Sequence, residues 1–175
     1  MRTLIRGALA FALMALAWPE IASYRGERLL ADASARLSDA LNGTTRGDAA
    51  LASVQAAFAE AQLAAVCLPA DQRPALSASI ALLLLHRGTE AAAILSTAIA
   101  EGERPELTIN LGRARGILGD ESGAQAAFLR TAWASPPSLA TLPSAIREPL
   151  LVRVKSLEDE LLFWYVFRGR QSEPE

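Results

Sequence analysis

The sequence predicts an all-α protein of antiparallel helical hairpins stacked as a short solenoid, with a hydrophobic helix at the N-terminus and a capping helix at the C-terminus. Alanine and leucine supply 36 and 28 of the 175 residues, a mixture that favours helix. The residue types that fill pleated sheets are too sparse for a sandwich or a barrel. Glycine or proline recurs at the ends of stretches with helical periodicity, which is typical of helices joined by short loops.

Six helices of the body are predicted by apolar residues that recur every three or four positions between a start signal and a stop signal. Asn42-Gly43 supplies a left-handed stop, and Pro69 prevents continuation of the second helix. Asp48, Thr89 and Asp120 are the expected N-cap residues of the second, fourth and sixth helices. The predicted helices cover residues 23–42, 48–68, 74–88, 89–102, 106–118 and 120–135.

The first 24 residues are predicted to direct the chain to a membrane. Two arginines among the first six residues precede an uncharged apolar run, 7–18, as in an export signal. Three outcomes stay open: a retained anchor with Trp18 and Tyr24 as its aromatic belt, a signal peptide cleaved after Ala17, and a soluble chain with a buried first helix. The basic N-terminus favours a body on the outer side of the membrane.

Composition excludes several classes of function. A formal net charge of −2 without a basic block argues against nucleic acid as the main partner. Cys67 is the only cysteine, and its apolar neighbours predict a buried thiol. His86 is the only histidine, and the chain has no glycine-rich phosphate loop, so we expect no catalysis, no cofactor and no metal. Lys155 is the only lysine among 17 basic residues, a skew typical of a GC-rich bacterial genome.

Two hairpins align with each other at an offset of 31 residues, which pairs the helix-ending Gly88 with Gly119. In the second of them, Leu111-Gly112, Gly119-Asp120, Ala124, Phe128 and Pro136 stand at the spacings of a known repeat. Residues 25–137 therefore resemble the tetratricopeptide repeat family, whose unit is a helical hairpin. The resemblance implies that Gly112 and Ala124 are small because the helices of one hairpin approach closely, and that Phe128 fills the gap toward the neighbouring repeat.

The resemblance also implies a concave face, made by the first helix of each hairpin, that binds a segment of another protein. Asn110 and Arg113 are expected to hydrogen-bond a peptide backbone or a carboxylate there. For His86 and Arg113, a helix cap and a solvated surface charge are the competing interpretations. The candidate concave-face residues are Leu82, Leu85, His86, Ile109, Asn110 and Arg113.

The C-terminal stretch 149–167 is predicted to be an amphipathic helix that caps the array. Its five-residue end holds four of the ten aromatic residues, more than one capping face can bury. A contact with a partner or a bilayer interface and packing within the protein are both open interpretations of this cluster. The candidate contact residues are Phe163, Trp164, Tyr165 and Phe167.

The sequence thus predicts three regions: a signal anchor or signal peptide (1–24), a hairpin domain (25–137) and a capping helix with an aromatic tail (138–175). The function expected from them is a membrane-anchored, non-catalytic scaffold or accessory subunit of a bacterial inner-membrane complex, with its main domain in the periplasm. The alternative is a cleaved, soluble periplasmic binding or chaperone protein. The expected partners are proteins and the membrane.

Overall fold

The computed structural model describes the backbone from Arg2 to Gln171 and the side chains of residues 18–165. Every regular element in this part is helical, so the predicted all-α class is confirmed. The elements are α1 (Arg2–Leu41), α2 (Gly47–Cys67), α3 (Arg73–Leu84), α4 (Gly88–Glu101), α5 (Pro105–Ile117), α6 (Glu121–Ala134), a 3₁₀ segment (Pro136–Thr141) and α7 (Ser144–Gln171).

The chain divides into two compact units, one ending at Ala98 and the other beginning at Ile99. In the first unit α1, α2 and α3 pack against one another. In the second, α6 packs against α5, the 3₁₀ segment and α7. The short loops between α1 and α2 and between α5 and α6 make each pair an antiparallel hairpin.

The core of the first unit is made mostly of alanine, which lets its helices approach closely. A Cβ added to the buried Gly26 of α1 would lie only 2.6 Å from Leu68 Cγ and 2.8 Å from Cys67 Cβ. Cys67 itself is partly exposed, so the predicted burial of its thiol is wrong. Ile94 attaches α4 to this core, whose buried members are Ala33, Leu37, Val54, Ala57, Ala61, Ala78 and Ala81.

The core of the second unit is built around Phe128 of α6. Its ring occupies the space where Gly112 of α5 has no side chain, and a Cβ at Gly112 would overlap that ring. Phe128 therefore contacts α5 of its own hairpin, and its core also includes residues of the 3₁₀ segment and of α7, the elements that follow the hairpin. The other buried members of this core are Ile109, Ala124, Ala132, Leu139, Leu142, Leu150 and Val154.

Three of the predicted helix ends are confirmed. Gly43 and Gly119 have φ values of +70° and +75°, and they end α1 and α5 in the left-handed conformation that glycine adopts without strain. Asp120 caps α6, since its Oδ1 accepts a hydrogen bond of 2.9 Å from the Gly123 backbone N–H.

Other helix-end predictions are wrong. The N-cap of α2 is Arg46 rather than Asp48, and no side chain accepts a hydrogen bond there. The helix α4 already includes Gly88 and begins before Thr89. The left-handed residue that ends α3 is His86, with φ +56°, because the Arg87 N–H reaches back to the Leu82 carbonyl over 2.8 Å.

The cap at Asp120 gives a direct prediction. Asp120→Ala is expected to destabilise the second unit by about 1 kcal/mol, because an N–H of α6 loses its acceptor. Asp48→Ala removes a carboxylate from the first turn of α2 but no capping bond, so we expect a smaller loss. Urea unfolding of both variants, followed by circular dichroism, compares them. Equal losses would contradict the assigned cap.

Both terminal helices are longer than predicted. The helix α1 runs without a break through Pro19, whereas the sequence placed a boundary after residue 24. The helix α7 begins at Ser144 and includes Pro149 in its second turn. Residues 7–17 of the predicted apolar run 7–18 and the residue Phe167 lie outside the described side chains.

Candidate partner-binding surface

Most apolar residues of the predicted concave face are covered. Leu82 is fully buried and Ile109 belongs to the core of the second unit. Leu85 is half-buried and packs against the core of the first unit. Leu82 and Ile109 are therefore covered in this structure, which corrects their assignment as surface residues, whereas Leu85 keeps part of its side chain exposed.

The polar pair Asn110 and Arg113 is held inside the second unit. The buried Asn110 donates from Nδ2 to the Glu106 carbonyl at 2.9 Å and accepts from Arg113 Nη1 at 2.8 Å. Arg113 Nη2 donates to Thr141 Oγ1 at 2.6 Å. Partial burial lowers the pKa of the Arg113 guanidinium, which stays protonated at any physiological pH because arginine titrates so high. The pair therefore fastens the 3₁₀ segment to α5.

The His86 side chain is exposed, and its backbone adopts the left-handed conformation that ends α3. Its neighbour Arg87 forms an ion pair with Glu90 in the first turn of α4 and lies over the Phe58 ring at 5.3 Å. The hydrogen bond from Arg87 lowers the pKa of the Glu90 carboxyl. His86 belongs to the first unit together with Leu82 and Leu85, whereas Ile109, Asn110 and Arg113 belong to the second.

The end of α7, unlike the predicted concave face, is exposed to solvent. Five consecutive side chains, residues 161–165, are each more than half exposed, from 57% at Leu161 to 81% at Tyr165. Consecutive residues point around the full circumference of a helix, so the apolar surface is not confined to one face. Phe163, Trp164 and Tyr165 are thus the predicted contact residues that the structure leaves accessible.

A groove of about 620 Å³ lies between α6 and α7 in the second unit. Leu129 and Trp133 of α6 form one wall, and Leu157, Leu161 and Trp164 of α7 form the other. Its surface is thus mostly apolar and aromatic, as in clefts that receive apolar side chains.

Trp133 was not predicted from the sequence. It is half exposed and stands four residues after Leu129, on the side of α6 that lines the groove. Helical periodicity does not single it out; the only sequence signal is its position, as a large ring at the end of the last repeat-like helix.

The rim of the groove carries charges of both signs. Arg130 Nη2 and Glu103 Oε2 form an ion pair of 2.6 Å on the α6 side. On the α7 side Glu160 is 3.8 Å from Arg153, and it belongs to the acidic run 158–160. Both ion pairs are solvent-exposed and therefore stabilise the fold little.

A second exposed apolar patch lies at the end of the predicted membrane-directing segment, residues 1–24. Trp18, Ile21 and Tyr24 project from α1 with exposures between 59% and 72%. Among the described residues, α2 is the helix with the length and mean hydropathy to cross a membrane, but its inner face packs against α1 and α3. A core helix of a soluble unit satisfies the same criterion, so α2 by itself is weak evidence for a membrane span.

Comparison with known proteins finds no matching family model, no matching curated protein and no matching solved structure. The resemblance to tetratricopeptide repeats therefore stays a prediction from the residues quoted above. Among the side chains of residues 18–165, no group of histidine, cysteine or carboxylate residues is placed to hold a metal ion.

Proposed function

We propose that this protein is a non-catalytic, membrane-anchored scaffold or accessory subunit that docks onto a bacterial inner-membrane complex through the end of α7. The observation that carries the proposal is the run of five exposed apolar side chains at residues 161–165. Contiguous apolar surface of this kind is costly to leave in water and marks interaction sites. Tyrosine and tryptophan are also the residues that most often dominate the binding energy of protein interfaces.

The α6–α7 groove supports a protein as the partner. An apolar floor with a charged rim is the usual arrangement of a docking surface, because the floor gives affinity and the rim gives orientation. The concave-face residues Asn110 and Arg113 bond to groups of their own unit. The proposed docking surface therefore lies on α6 and α7 rather than on the concave face predicted for α5.

The N-terminal helix supports membrane attachment. The helix α1 continues from the apolar segment into the packed part of the first unit, with Trp18, Ile21 and Tyr24 exposed at the junction. Aromatic side chains in that position anchor a helix at the level of the lipid headgroups. The arginines at positions 2 and 6 favour a cytoplasmic N-terminus, and this supports a periplasmic main domain.

Membrane fractionation of the full-length chain tests the attachment. We expect the protein to stay with the membrane after alkaline carbonate extraction, to keep its first 17 residues, and to be digested by protease added to spheroplasts. A soluble mature chain that begins at Trp18 would contradict the anchor and support the alternative, a cleaved periplasmic binding or chaperone protein. Protection from the protease would contradict the periplasmic location.

A further inference from the structure

One end of the α1–α2 hairpin exposes an apolar side chain of α2 beside α1. Two contacts fix the register of the hairpin. Arg36 Nε donates to Glu60 Oε1 over 3.0 Å, and closer to the N-terminus a Cβ at Gly26 would lie 2.8 Å from Cys67 Cβ. Val66, which is 80% exposed, therefore lies at about the level of Gly26. This is the end of the hairpin from which α1 continues back toward the apolar run 7–18.

Four exposed side chains of α1 form a stripe at the same end of the unit. Trp18, Ile21, Arg25 and Arg28 are spaced by three, four and three residues, so they share one side of the helix. The apolar pair comes first, and the two guanidinium groups follow about 10 Å further along the helix axis. The next exposed residue of the stripe, Asp32, is acidic. The order apolar, basic, acidic matches the passage from acyl chains through lipid phosphates to water.

The carboxylates near the two arginines are already bound or lie on another side of α1. Glu27 and Asp71 both accept hydrogen bonds from the Arg73 guanidinium. Glu20 precedes Arg25 by five residues, which turns it by about 140° around the helix. The side of α1 that carries the stripe therefore presents positive charge above its apolar pair.

We propose that this end of the first unit binds the surface of an anionic phospholipid bilayer, with Arg25 and Arg28 on lipid phosphates and Val66 among the headgroups. A guanidinium group pairs with a phosphate through two parallel N–H bonds, and its apolar stem tolerates the interface. The depth order of the stripe favours a bilayer over a protein partner, because a protein interface surrounds its apolar centre with polar residues on every side. The inference rests on the proposed function, since it takes the apolar run of α1 as the part that enters the membrane.

A fluorescent probe on α2 tests the contact. Full-length Cys67→Ser protein is placed in nanodiscs that contain phosphatidylglycerol, with an NBD group on Val66→Cys or, as the matched control, on Ala52→Cys. Ala52 is exposed on the same side of α2, about 21 Å nearer the other end of the hairpin. We expect spin-labelled lipid to quench the probe at position 66 and aqueous iodide to quench the probe at position 52. Equal access of iodide to both positions would overturn the inference. A probe at position 66 that neither quencher reaches would also overturn it, because a protein would then cover the site.

Removal of charge tests the class of lipid. Arg25→Gln with Arg28→Gln is expected to lower the lipid quenching at position 66 to the level seen in nanodiscs of phosphatidylcholine alone, because the phosphates lose their cationic partners. The matched control is Arg46→Glu, which shifts the net charge by the same amount at the other end of the hairpin and leaves the quenching unchanged. Quenching that is equal in the two lipids, or equal in the two variants, would show that anionic lipid is not the ligand. Circular dichroism confirms that each variant retains its helix content.

The two proposals fail in different ways. If the chain resists alkaline extraction but the probe at position 66 stays in water, the lipid surface is wrong and the anchored scaffold stands. If the mature chain begins at Trp18, the anchor is wrong, and flotation of that chain with phosphatidylglycerol vesicles decides the inference. A chain that floats with the vesicles supports the lipid surface, and a chain that stays at the bottom of the gradient overturns it.

Discussion

Replacing Leu161, Phe163 and Trp164 by alanine is expected to abolish co-purification of the full-length protein with the proposed membrane complex while leaving the folded body intact. All three side chains are more than half exposed, so their removal takes little from the core of the second unit. On docking, by contrast, large apolar residues at the centre of an interface contribute about 2 kcal/mol or more each. Together they amount to about 6 kcal/mol, a loss of affinity of roughly ten-thousandfold or more. Alanine keeps the helix propensity of α7 high.

The measurement is a mild-detergent pull-down of wild type and variant from the same membranes, with thermal unfolding of both purified proteins. The matched control is Leu63→Ala with Val66→Ala, which removes exposed apolar side chains from α2 in the first unit. We expect this control to retain the partners. A melting temperature that falls by many degrees in the α7 variant would contradict the prediction, because it would show that the rings cap their own unit.

The second large effect is expected in the core. Phe128→Ala should destabilise the second unit by about 3–5 kcal/mol, because it empties the space that the ring fills against Gly112 and leaves a cavity in the core. Denaturant unfolding followed by circular dichroism measures the change in the free energy of unfolding.

A paired experiment tests the contact itself. Gly112→Ala alone is expected to cost about 1–3 kcal/mol, since the new methyl group overlaps the Phe128 ring. In a chain that already carries Phe128→Ala, the same substitution should cost little or even stabilise, because the methyl group enters vacated space and alanine favours helix. Equal costs in both backgrounds would show that the two residues do not share this contact.

Helix ends with a local cause were largely predictable. At Gly43 and Gly119 the residue itself permits a left-handed turn, and at Asp120 a side chain three residues before an N–H supplies a cap. The end of α3 was not predictable in this way. Gly88 has the better intrinsic preference, but the hydrogen bond from the Arg87 N–H to the Leu82 carbonyl places the left-handed residue at His86.

The candidate site was also predictable only where its cause is local in sequence. The aromatic cluster of α7 was visible in the sequence because four rings within five residues exceed what one face of a helix can bury. The groove needed a second wall, and Trp133 supplies it from a helix some thirty residues earlier in the chain. Helical periodicity does not say which side of α6 faces α7, so nothing in the local pattern singled out Trp133.

The sequence by itself determined the helical class, the approximate bounds of the helices from residue 47 to residue 134, and the exposed rings of α7. These follow from propensity, periodicity and turn residues, which act within a few positions along the chain. Only the tertiary structure decided that Leu82, Ile109 and Asn110 are interior and that the accessible apolar surface lies between α6 and α7. Burial depends on which other helix covers a face, and that is settled by packing between segments distant in sequence.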